Sequence, residues 1–115
     1  MRTIDTVRTG QNATAADCGR LWQTLTTEYI RDLKINLVPL PDPDNLTGVK
    51  IEIISDGIDS LDGEVIDDVW ASATFFNQLH LISAGSLFDL LITAYRRIDD
   101  YFTHGERFAP ARRKR

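Results

Sequence analysis

An α+β fold follows from three features of the sequence: two stretches with apolar residues at helical spacing, one stretch that alternates like a strand, and a length suited to a single core. The 115 residues are 43% hydrophobic, enough for one buried core without disulfides or metals and too few for two. The expected architecture is two or three amphipathic helices packed on a small β-sheet, as a single domain over residues 1–106 with a basic C-terminal tail over residues 107–115.

In chain order, Ile4 and Val7 alternate among Thr and Arg and suit an edge strand or an ordered arm. A capping box, Thr14 to Asp17, opens the first helix, expected to run to Lys34 with Cys18, Leu21, Trp22, Leu25, Tyr29 and Leu33 on its apolar face. Ile35 to Val38 then leads into Pro39, which favours extended backbone before it and ends the helix. Pro39, Pro41 and Pro43 make a stiff surface loop without the P-x-x-P spacing of proline-recognition ligands.

The strand is Gly48 to Ser55, with Val49, Ile51 and Ile53 on one face and Lys50, Glu52 and Ile54 on the other. Its backbone needs a partner, and Arg2 to Val7, Ile35 to Leu40 or a stretch beyond the next loop can supply one. Asp56 to Gly63 is turn chemistry. For Glu64 to Ile82 two periods compete. As a helix capped by Asp62 it aligns Ile66, Val69, Trp70, Ala73 and Phe76; as a strand, Val69 to Phe76 alternates and makes a hairpin with Val49 to Ser55. The helical pattern has more matches, so a third helix is expected over residues 62–78, with Leu79 to Ile82 extended.

The last helix places Leu87, Phe88, Leu91, Ala94, Tyr95, Ile98 and Phe102 on one face, with Ser86 and Asp89 as its capping box and Gly105 as its stop. The expected core is Trp22, Leu25, Tyr29, Ile51, Ile53, Val69, Trp70, Phe76, Phe88, Leu91, Tyr95 and Phe102.

Charge is distributed unevenly around a net −4. From Asp42 to Asp68 nine carboxylates face Lys50 alone, whereas Arg107, Arg112, Arg113, Lys114 and Arg115 come with no acid among the last nine residues. A basic end and an acidic middle suit docking between copies, with Arg107, Arg112, Arg113, Lys114 and Arg115 meeting Asp56, Asp59, Asp62 and Glu64 of a neighbour. The same cations suit nucleic-acid phosphates, although the acidic body opposes them.

Catalytic and metal signals are sparse. Cys18, the single cysteine, lies on an apolar helix face, and His80 sits between Leu79 and Leu81; a Cys/His site would need the two to meet in a cleft. Asp56, Asp59 and Asp62 are three apart and enclose Ile58 and Leu61, unlike a calcium loop whose oxygen ligands alternate. No phosphate-binding loop, dinucleotide fingerprint or metal-ligand helix is present, so no cofactor is expected. No apolar run approaches a membrane span and the first residues lack the apolar stretch of a signal peptide, so a soluble, cytoplasmic protein or part of an intracellularly assembled particle is expected. The function expected is that of a non-catalytic assembly or adaptor subunit, for which a virion or other mobile-element particle is one suitable setting; nucleic-acid binding through the tail comes second and a small Cys/His enzyme third.

Overall fold

Thr14 does open the first helix as a reciprocal cap. Its Oγ1 accepts from the Asp17 N–H at 3.3 Å while the Asp17 carboxylate accepts from the Thr14 N–H at 2.8 Å, so two amides of the first turn are satisfied. A computed structural model describes residues 12–40, 48–58, 63–76 and 82–115. In it this helix, α1, spans Ala15–Glu28. It stops short of the expected Lys34, because Lys34–Pro39 is taken by a strand, β1. The Ile30 N–H closes the turn onto the Leu25 carbonyl at 2.9 Å, and the segment beyond, with β-branched Ile35 and Val38 before Pro39, pairs with its neighbour instead of extending the helix.

That neighbour is β2, Val49–Ile58, antiparallel to β1 with Ile35 opposite Ile53 and Leu37 opposite Ile51. On its other side lies β3, Val65–Phe75. The helix expected over residues 62–78 is therefore a strand where the structure describes it. The cause is a bulge: Ile53 pairs with Ala71 and Ile54 with Val69, which leaves Trp70 as the extra residue. Trp70 and Ala71 both join the core, and this break in the period of two imitates helical spacing. Buried Trp70 donates its indole N–H to Ser55 Oγ at 2.8 Å and packs edge-on against Tyr101 with ring centroids 5.6 Å apart.

Helix α2, Ala84–His104, is capped three residues before the expected Ser86. Ser83 is the N-cap and accepts from the Ser86 N–H at 3.1 Å. Gly105 stops the helix as expected, at φ +88°, a conformation that costs a side-chain-bearing residue more. A 3-10 turn, Glu106–Phe108, then leads to β4, Ala111–Lys114, which pairs antiparallel with β3. The strand order is β1-β2-β3-β4.

Both helices pack on one face of this open antiparallel sheet, and the domain is α+β as expected. The core joins Leu21 and Leu25 of α1, Phe88, Leu91, Ala94, Tyr95 and Ile98 of α2, and Val49, Ile51, Ile53, Trp70 and Ala71 of the sheet. The Tyr29 hydroxyl donates to Asp99 at 2.8 Å and ties the end of α1 to α2. Three residues expected in the core lie outside it: Val69 is only half-buried on β3 beside the bulge, Phe76 is 75% exposed at the end of β3, and Phe102 is 55% exposed on the flank of α2, against Tyr29 and Tyr101. Among the described residues no helix is long and apolar enough to cross a membrane.

Candidate functional site

Opposite faces of a strand carry alternate residues, so the face of β2 turned from the helices presents Lys50, Glu52, Ile54 and Asp56. In register beside them stand Lys34 and Asn36 of β1 and Asp67 of β3, with Arg113 next to Asp67. Glu52 lies at the centre, 1% exposed. Arg113 binds it with both terminal guanidinium nitrogens, Nη1 to Oε2 at 2.7 Å and Nη2 to Oε1 at 3.0 Å. Asn36 donates to Oε1 at 2.9 Å, and the Lys50 ammonium stands 3.6 Å away. A planar fork matched to a carboxylate is the strong form of an ion pair. The Arg113 hydrogen bonds accordingly hold the Glu52 carboxyl down at about 2 against the desolvation that opposes them.

The pairing continues along β4. Arg113 also reaches Asp67 at 3.5 Å, and the Arg115 Nε donates to Asp67 at 3.0 Å. Asp56 accepts from Lys34 at 3.1 Å and from Arg115, and these two cations lower its pKa. On the helix side, Arg112 lies 3.3 Å from Asp68 and 3.7 Å from Glu106, and Lys114 reaches Glu64 at 3.2 Å. Burial pushes the Asp68 carboxyl up despite Arg112. Gly57 leaves room for this arrangement, since a Cβ there would come within 2.8 Å of Asp68 Oδ1.

Of the basic residues expected to form a tail, Arg112, Arg113 and Lys114 thus lie in the sheet's fourth strand, and together with Arg115 they meet acids of their own chain. The expected docking is on a neighbour's Asp56, Asp59, Asp62 and Glu64; within one chain Arg115 meets Asp56 and Lys114 meets Glu64, whereas Arg112 pairs with Asp68 and Glu106 and Arg113 with Glu52 and Asp67. Arg107 does not join them; its guanidinium lies over the Phe108 ring, 4.8 Å from the centroid. Asp59 and Asp62 lie outside the described residues. Sequence reading missed Lys34, Asn36, Glu52, Asp67 and Asp68 as partners. Their signal was period two: once Gly48 to Ser55 is a strand, Glu52 is committed to the face opposite the core.

The sheet's other edge has a different chemistry. Ile35 and Leu37 of β1 are 43% and 45% exposed, and they border an apolar groove of about 400 Å³ with Ala15, Cys18, Ile82 and Leu87 among its walls. Cys18 is buried there and its thiol donates to the Ala84 carbonyl at 3.3 Å. Burial first, and then the neighbouring Asp17 carboxylate, push that thiol up, away from the thiolate form a nucleophile needs. His80, its conceivable partner, lies outside the described residues. No family model, no curated protein and no solved structure matches the chain.

Proposed function

We propose that the protein is a non-catalytic assembly or adaptor subunit that acts through protein–protein contacts, with other copies of itself as the partner. The observation that carries this reading is the inequality of the two sheet edges. β4 is a four-residue strand with cations at Arg112, Arg113 and Lys114, each against a carboxylate. Short, charged edges resist further pairing. β1 is longer, carries one cation at its start, and exposes Ile35 and Leu37 beside the groove.

Docking of the basic segment on a neighbour's acids enters this reading as strand exchange. A neighbour's β4 in the same slot would make the same ion pairs, which is the low-cost route to domain-swapped oligomers. At low concentration the chain's own strand has the advantage of being tethered. Nucleic-acid binding by the same cations is disfavoured, because phosphates would have to displace Glu52, Asp67, Asp68 and Asp56 from guanidiniums they already hold.

The test is the molar mass by light scattering across protein concentration, at low and high salt, beside a chain ending at Ala109. A defined oligomer is expected. Association through exchanged β4 fails in high salt and in the shortened chain; association through the rest of the sheet survives both. A monomer under every condition contradicts the reading.

A further inference from the structure

We propose that two copies of this chain join at β1, edge to edge and antiparallel, about a two-fold axis through Asn36, so that two four-stranded sheets become one. The inference rests on the assembly reading above and assigns the contact.

Backbone geometry identifies the groups that are open. The Leu40 N–H donates to the Gly48 carbonyl at 3.2 Å, and alternate residues of an antiparallel ladder face the same neighbour. Val38, Asn36 and Lys34 therefore bond inward to β2. Ile35 and Leu37 turn their N–H and C=O groups outward, and Pro39, also outward, has no N–H to give. Among the described residues no strand pairs with this side of β1, so the outward backbone groups lie where the exposed apolar side chains are.

Charge then selects the occupant. β4 of a second copy would bring Arg112, Arg113 and Lys114 against an edge that begins with Lys34, and two β4 edges would oppose cations directly; like charges across a ladder are destabilising. β1 on β1 avoids both conflicts. It is also self-complementary, so it closes as a pair instead of growing into a filament.

The register follows from side-chain faces. Cross-strand partners share a face, and an axis at Asn36 sets Ile35 opposite the second copy's Leu37, twice, on the helix side next to the groove. Each such pair exchanges two N–H···O=C bonds. Lys34 falls opposite Val38, so the two ammonium groups are far apart. An axis at Leu37 would instead set Ile35 against Pro39, which returns no hydrogen bond. At Asn36 the strands form a non-hydrogen-bonded pair, where Cα atoms approach to about 4.5 Å, within reach of a disulfide.

Oxidation of Asn36→Cys therefore tests the geometry, with Thr74→Cys, exposed on β3, as the control. Asn36→Cys is expected to convert to a disulfide-linked dimer while Thr74→Cys stays monomeric on a non-reducing gel. Leu37→Lys is expected to halve the mass of the wild-type dimer in solution with its circular dichroism unchanged. If the wild type is a dimer but Asn36→Cys does not crosslink, or Leu37→Lys remains folded and dimeric, the β1 contact is wrong while the assembly reading stands. If the wild type is monomeric at every concentration, both fall.

Discussion

Glu52 is a buried carboxylate in a sheet face that carries no helix, and its stability depends on Arg113. Glu52 is buried while Arg113 is half-exposed, and Asn36 and Lys50 remain beside the carboxylate, so Arg113→Met is expected to cost about 2 kcal/mol in denaturant unfolding, less than the loss of one partner from a fully buried pair. Adding Glu52→Leu should recover most of that loss, since the stranded charge goes with it. The sign of the pH dependence is that of a depressed carboxyl. Its contribution is complete above the ordinary value of 4.5 and is lost as pH falls through the folded value of about 2. Acid unfolding of the wild type should therefore steepen over that window, and Glu52→Gln should flatten it. An unchanged profile in Glu52→Gln would show that Glu52 does not set the acid stability. Cys18 is a case where the residue was legible from the sequence: a small thiol on an apolar helix face, found buried in the core.

At the scale of elements, β4 is the segment whose role depends on everything before it. A chain ending at Ala109 loses the ladder to β3 and leaves Glu52, Asp56 and Asp67 together without Arg113 and Arg115. Such a chain should unfold at lower denaturant, and added salt should stabilise it by screening the remaining carboxylates. The intact chain should show the opposite salt trend, because its exposed ion pairs weaken. Equal salt slopes for the two would mean that the pairs contribute nothing. The same strand shows what sequence reading can and cannot supply. Four cations after a proline and an acidic middle announced complementary partners, but ARRK has no apolar period, so nothing local marked it as a strand. β3 was obscured differently, since the bulge at Trp70 put two consecutive residues on the core face and imitated a helix. The capping box at Thr14 and the stop at Gly105 were legible because they depend on neighbours in sequence alone. The end of α1 was not, because it depends on the pairing of β1 with β2.

For the whole molecule, one end strand of the sheet, β4, is short, charged and paired with β3 over residues 66–69, and the other, β1, exposes apolar residues beside a groove. With helices on one face and a charged ladder on the other, the contact proposed at β1 is one that brings copies together without opposing like charges. The α+β class was readable from two helical periods and one strand; which strands lie at the edges, on which the proposed contact depends, was not, because β3 and β4 were not legible as strands. The most direct test of the proposed contact is residue-resolved amide hydrogen exchange at several protein concentrations. The Ile35 and Leu37 amides are expected to gain protection as concentration rises, while the ladder amides of β4 are equally protected throughout. Ile35 and Leu37 amides that exchange at the same rate at every concentration would contradict the β1 contact.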